Sequence, residues 1–281
     1  MSIQEICNKY NIKDYTINSD GSIDVNGNVY LYKHELTELP LKFNKVQGDF
    51  ICHKLDLTTL KGCPEHIGGY FKCVDNNLTD LKGGPKEILG SFYCYKNKLT
   101  DLKGSPESVG DDFECRQNNL TSLEGVPESI GGIFDCSENN LTSLEFAPKF
   151  VGDGFDCRQN NLTSLEGGPE SVGQSLICNS NKLTSLEFAP KFVGDDFWCL
   201  NNNIKSLEGF CDDLKGGLHL KNNPIGSIFQ FNDIDIDIIK AFNTFKVFKD
   251  GVINLNRLKY FTEMFDINVD IEEIKKHYII K

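Results

Sequence analysis

Cysteine recurs at a fixed step of 21 residues, at Cys52, Cys73, Cys94, Cys115, Cys136, Cys157, Cys178 and Cys199, with Leu220 in the ninth place. Pro64, Pro85, Pro106, Pro127, Pro148, Pro169 and Pro190 keep the same step. A chain built from equal units solves its packing problem once, because each unit meets a copy of itself on either side. One elongated interior can then run through all 281 residues, where a compact fold of this length would approach the limit of a single core. The expected fold class is a repeat solenoid.

The unit reads F-x-C-x-x-N-x-L-T-S-L-E-G-x-P-x-x-V-G-x-x, as at Phe113, Cys115, Asn118, Leu120, Leu123, Gly125, Pro127 and Ile130. Residues two apart on a strand share a face, so Phe and Cys point inward together. Phe50, Phe71, Phe92, Phe113, Phe134, Phe155, Leu176, Phe197 and Leu218 form one apolar ladder beside the cysteines. Burying each large side chain contributes roughly 1.5 to 3 kcal/mol. Asn76, Asn97, Asn118, Asn139, Asn160, Asn181, Asn202 and Asn223 follow at the turn out of the strand, where an amide can satisfy backbone groups otherwise left buried and unpaired. The two leucines and the Val or Ile after each proline close the interior. Twenty-one residues leave no room for a helix beside a strand and two turns, so the convex back is expected to be extended or a single helical turn. Nine strands at ~4.8 Å predict a parallel sheet on the order of 40 Å long, lining the concave face.

A period of about 20 to 29 residues with leucines at this spacing is the mark of a leucine-rich repeat. The run Asn118-Asn119-Leu120-Thr121-Ser122-Leu123-Glu124-Gly125-Val126-Pro127 resembles the short repeats of bacterial secreted effectors, with Glu-Gly in place of their Leu-Pro. It is more similar to the leucine-rich-repeat proteins of tailed bacteriophages, which share the F-x-C-x-x-N-x-L-T-S-L-E-G-x-P unit and a leader like Ser19-Asp20-Gly21-Ser22-Ile23-Asp24-Val25-Asn26-Gly27 ahead of Leu39-Pro40-Leu41. The similarity spans roughly residues 15 to 260. It implies the fold and a phage origin, and carries over no catalytic residue. Effector relatives that end in a ubiquitin ligase use a nucleophilic cysteine, and the segment after Asn223 contains none.

Exposed terminal units would leave apolar layers in water, so both ends should be capped. Residues 1–38 are expected to form an α+β N-terminal cap: a short helix over residues 2–10, then hairpin turns at Asp20-Gly21 and Asn26-Gly27. The solenoid is assigned to 39–225, its Cys52 unit irregular because Leu55 stands where Asn belongs. Residues 226–281 are expected to be a helical C-terminal cap, from helical spacing in Asp235 to Phe245, Leu255 to Phe265 and Ile271 to Tyr278, with a turn at Lys249-Asp250-Gly251.

A formal net charge of -12 opposes a phosphate backbone, so nucleic acid is not an expected partner. Met1 to Tyr15 lacks the apolar core of a secretory signal, and no segment has the length of a membrane span. The expected location is the cytoplasm of a host cell or a virion, without a membrane partner. Ladder thiols stacked one per coil should be buried and reduced, since parallel Cβ directions disfavour a bridge. Steps of 21 residues give no metal-ligand cluster, and neither metal nor cofactor is expected. Cys7, Cys63 and Cys211 lie off the ladder. His34, His53, His66, His219 and His277 are scattered, no nucleophile motif accompanies them, and no enzymatic activity is expected. The leader Thr16 to Gly27 lacks the closing Glu of a calcium loop, and Asn-Leu-Thr at Asn77, Asn119, Asn140 and Asn161 belongs to the repeat's turn rather than to glycosylation.

Binding in a solenoid falls to residues the frame does not need. The columns flanking each inward Cys place two aromatic patches on the concave face, Tyr70 with Tyr93 and Tyr95, and Trp198 with Ile177 and Leu200. Between them lie Glu114, Arg116, Asp135, Asp156 and Arg158. Exposed Tyr, Trp and Arg are enriched in protein-binding hot spots, so the expected partner is a protein. Stretches identical at 42-residue intervals, Cys115 to Asn119 with Cys157 to Asn161 and Glu145 to Pro148 with Glu187 to Pro190, point to two units copied together. Two function classes follow: an interaction module acting on a host protein, or a structural virion or assembly component.

Overall fold

A computed structural model describes residues 1–32, 36–229, 234–249 and 251–281. The chain winds as a parallel β-solenoid in which each turn contributes one short strand to each of two walls. The long wall has ten strands, running in register from Val29–Tyr30 through Phe50–Ile51 and the successive F-x pairs to Leu218–His219. One strand more than expected arises because Val29–Tyr30 pairs with Phe50–Ile51. The side opposite the long wall is extended, as expected of the back, and its segments also pair: His66–Ile67, Glu87–Ile88 and their equivalents to Asp213–Leu214 form a second parallel wall. That back wall is interrupted once, between Ser108–Val109 and Ser129–Ile130.

The core is the slab between these walls. The Phe and Cys columns enter from the long wall, Ile67, Ile88, Val109, Ile130, Val151, Val172, Val193 and Leu214 from the back, and all are buried in one continuous cluster. Phenyl rings follow one another at 4.9 to 5.9 Å from Phe50 to Phe155. Leu176 interrupts that stack, and Phe197 finds Phe210 at 5.1 Å instead.

The asparagine ladder performs the accounting expected of it. Asn160 Oδ1 accepts from Leu141 N–H at 2.9 Å, and its Nδ2 donates to the carbonyls of Cys136 and Cys157, both at 3.1 Å. Every ladder asparagine repeats this pattern, knitting its own turn to the preceding coil; Asn76 gives the irregular first unit its acceptor by receiving both Leu55 and Leu57 N–H. The residue before each Asn sits in the left-handed region, as Gln159 does at φ 53. The glycine after most back strands, at positions 68, 110, 131, 152, 173 and 194, meets a different demand: a Cβ on Gly173 would lie 1.7 Å from the Gly152 carbonyl oxygen. Coils therefore stack there through bare backbone.

All eleven cysteines are free and buried. Cys7 is the buried residue of helix α1 (Ile3–Lys9), Cys63 precedes Pro64, and Cys211 occupies the place where the earlier units hold proline. Burial pushes the ladder thiols from Cys52 to Cys178 well up, so these cysteines serve as small apolar side chains.

At the amino end, Ser2 and Glu5 form a reciprocal capping box on α1. Strands β1 (Tyr15–Ile17) and β2 (Ile23–Val25) make the hairpin expected at Asp20-Gly21. The second hairpin, at Asn26-Gly27, does not form. There the chain turns from one wall to the other, β2 pairing in parallel with Phe43–Val46 while Val29–Tyr30 enters the long wall. Asn-Gly between apolar alternations is the same signal in a hairpin and in a solenoid corner; only the pairing partners separate them.

The carboxyl segment corrects a second expectation. Helices α2 (Ile236–Thr244), α3 (Leu255–Met264) and α4 (Ile271–Lys275) occupy the three helical stretches, each begun by a side-chain cap from Asp235, Asn254 or Asp270. A three-stranded sheet joins them, made of Phe248–Lys249, Val252–Ile253 and Ile279–Ile280, so the segment is α+β rather than purely helical. Two-residue strands are too short to show a periodicity of their own. The expected turn residue Asp250 lies outside the described residues, as does His34. The segment is tied to the last coils by Leu218 paired with Ile234, Asn243 Nδ2 donating to the Leu207 carbonyl at 2.9 Å, and Tyr278 OH donating to that of Lys205 at 3.0 Å. Among the described residues no helix is long and apolar enough to cross a membrane.

Candidate functional site

Side chains facing outward from the long wall stand in columns set by the coil register. Ile51, Lys72, Tyr93, Glu114, Asp135, Asp156, Ile177, Trp198 and His219 are directly paired strand to strand. The fold needs none of these identities. It does dictate which of them touch.

Toward the amino end, the Tyr70 and Tyr93 rings meet edge to face at 6.1 Å, Lys72 Nζ lies 6.0 Å from the Tyr93 centroid, and Tyr93 OH donates to Asp112 Oδ2 at 3.3 Å. Tyr95 belongs to a different group. Its ring stacks under the Arg116 guanidinium, 3.9 Å from centroid to Cζ. Arg116 in turn bridges Glu114 at 3.2 Å and Asp135 at 3.3 Å. The front aromatic patch is therefore split by register, with Tyr95 drawn into the charged centre.

Glu114, Asp135 and Asp156 occupy three adjacent strands in one column, a spacing of about 4.8 Å at which like charges oppose one another. Asp156 is 9% exposed. Burial raises its carboxyl to about 6; the Arg158 N–H, donated at 3.0 Å, opposes that rise and the Asp135 charge adds to it. Burial also raises Glu114, against the pull of Arg116. The Arg158 guanidinium contacts Asp156 at 3.5 Å. These charges are thus largely matched within the strip, and Asp156 is covered.

At the far end, Trp198 stacks on His219 at 3.5 Å with planes 7° apart, and His219 Nε2 lies 3.4 Å from Asp196. Ile177 is in register with Trp198, and Leu200 donates its N–H to Asn179 Oδ1 at 2.7 Å. Sequence reading puts His219 in a column of this face but does not count it among the binding residues. Its place in the ninth unit, next to Leu220 and so stacked over Trp198, was the signal that assigns it to this patch.

A second set of exposed side chains escaped sequence reading. Phe146, Phe150 and Phe188 are 51%, 54% and 52% exposed, and Phe192 is half-buried, all on the back half of the coil. The repeated Glu-Phe-Ala-Pro was legible as duplication, but its phenyls departing from the Gly position were not recognised as surface. Two clefts lie apart from the long wall. One of 540 Å³ is lined by Asp20, Leu39, Lys42, Lys61 and Glu65, and one of 390 Å³ separates Glu208 and Gly209 from Asn243 and Lys249. Among the described residues no group of His, Cys, Asp and Glu is arranged to hold a metal ion. No protein-family model, curated protein or solved structure matches the chain.

Proposed function

We propose that this protein is a non-enzymatic scaffold of the leucine-rich-repeat kind that captures a protein partner on the outer face of the long wall. The observation that carries the reading is the strip from Tyr70 to His219, where aromatic and charged side chains are held by one another while the frame requires none of them. Side chains fixed before binding lose little further rotamer entropy on contact, which favours affinity. Tyr, Trp and Arg are also the residues that carry most binding energy where their surroundings exclude water. The ladder thiols face the core, so no nucleophile from that column meets a histidine on this face.

Selection of a displayed protein-domain library against the immobilised chain, repeated with Tyr93→Ala and Trp198→Ala, tests the proposal. Binders are expected that lose at least tenfold in affinity to either variant, whose circular dichroism and melting remain those of the parent. Binders indifferent to both substitutions would refute it.

A further inference from the structure

Phe146 and Phe188 each occupy a place where the other coils, at positions 62, 83, 104, 125, 167 and 209, have glycine. The reason for glycine is conformational. That residue sits in the left-handed region, at φ 67 for Phe146 and 66 for Phe188, where a side chain crowds the backbone. These two coils therefore accept backbone strain in order to place phenyl rings in water. Phe150 and Phe192 follow four residues later, and the back wall pairs them through Ser171. The four phenyls thus fall two to a coil, on coils two steps or about 10 Å apart, with only Gly167 and Ser171 at the matching places between them.

Along one flank of this notch the charge has one sign in the later coils. The residue ahead of each left-handed position is Lys61, Lys82 and Lys103 in the early coils, then Glu124, Glu145, Glu166, Glu187 and Glu208. Glu124 pairs with Lys103 at 2.7 Å; the other four have no salt-bridge partner among the described residues. The glutamate column runs directly beside the column of left-handed positions: a Cβ at Gly167 would lie 3.0 Å from Glu145 Cα, and one at Gly209 3.3 Å from Glu187 Cγ. On the other side, Glu128, Lys149, Glu170, Lys191 and Asp212 alternate and come close to cancelling. A row of like charges one strand apart is mutually repulsive.

We propose that the Phe146, Phe150, Phe188 and Phe192 surface is a second docking site, taking an amphipathic basic peptide segment of a partner protein. Two apolar anchors about 10 Å apart, the i and i+7 rise of a helix, would seat on the phenyl pairs. Lysines or arginines along one flank would meet the glutamate row.

The test uses the full chain. A random-peptide display library is selected on the wild type and counter-selected on Phe146→Gly/Phe188→Gly, a variant that restores the residue of the other coils and so is expected to melt higher than the parent. Peptides that depend on the phenyls should combine apolar anchors with Lys or Arg, and should weaken at least tenfold toward both the glycine variant and Glu145→Gln/Glu187→Gln. Enrichment of acidic or uncharged peptides, or of none that distinguishes the glycine variant, overturns the assignment. So does flotation of the protein on phosphatidylglycerol vesicles, or self-association in sedimentation, if either disappears with the two phenyls.

Discussion

Replacing Asn160 by alanine should open the solenoid locally at a cost that the hydrogen bonds allow to be worked out. The Leu141 N–H loses its acceptor and is left in the dry interior, a penalty of about 1 to 3 kcal/mol. The Cys136 and Cys157 carbonyls lose one donor each but keep a second, from Asn139 and Asn181, so each loss is nearer the ~1 kcal/mol of an ordinary net bond or below it. The sum is about 3 kcal/mol, on the order of a hundredfold in the local opening equilibrium. Aspartate is the sharper test, because it keeps an oxygen for Leu141 while turning a second oxygen toward two carbonyls and burying a charge. Asn160→Asp should therefore destabilise at least as much as alanine at neutral pH, and should recover part of the loss on acidification. Hydrogen exchange reads the effect where it belongs, since a solenoid coil is stabilised by its neighbours: protection should collapse at Leu141 and the adjoining Cys136 and Cys157 coils, and persist near Cys73. A loss below ~0.5 kcal/mol for alanine, or an aspartate variant as stable as the parent at pH 7, would refute the argument that these amides satisfy the interior.

Three further outcomes follow from the same geometry. Gly173→Ala forces a Cβ to within 1.7 Å of the Gly152 oxygen, so the coils must part; a urea midpoint corresponding to a loss of 2 kcal/mol or more is expected, about the level of other overpacking substitutions, whereas an unchanged midpoint would exclude the close approach. Asp156 has its folded pKa raised to about 6 from 3.8, so its native state binds the proton more tightly than the unfolded chain: the stabilisation is full below pH ~4 and is lost as pH rises through 6. Asp156→Asn should flatten that slope and raise stability at pH 7 by on the order of 2 kcal/mol, as measured by melting across pH 4 to 8. Thiols from Cys52 to Cys178, buried and raised, should resist iodoacetamide in the native protein at pH 8 and react after denaturation; rapid native labelling would contradict an inward-facing ladder.

Much of the frame was legible before any coordinates. A cysteine, an asparagine and a proline that each return after 21 residues can only coexist if like positions superpose, and the register pairs Phe113 with Phe92 and Phe134 as that logic requires. The helical stretches of the tail were equally readable, because helices of nine and ten residues display their own period. The sheet that joins them was not, being made of two-residue strands brought together from positions 248 and 280. The Asn26-Gly27 corner was read as a hairpin for a related reason: turn chemistry is local, while the choice of strand partner is not.

For the binding surfaces the division is sharper. Periodicity by itself determined which residues are frame and which are free, since it reports backbone environment repeated from coil to coil. It placed Tyr93, Glu114, Asp135, Asp156 and Trp198 in one column. Only the tertiary structure decided that Tyr95 turns to Arg116 rather than to Tyr93, that Asp156 is covered, and that Phe146 and Phe188 stand in solvent at a strained φ. Those outcomes depend on side-chain rotamers and on the space left between adjacent coils, quantities set by contacts across 21 residues of separation and invisible to any spacing rule.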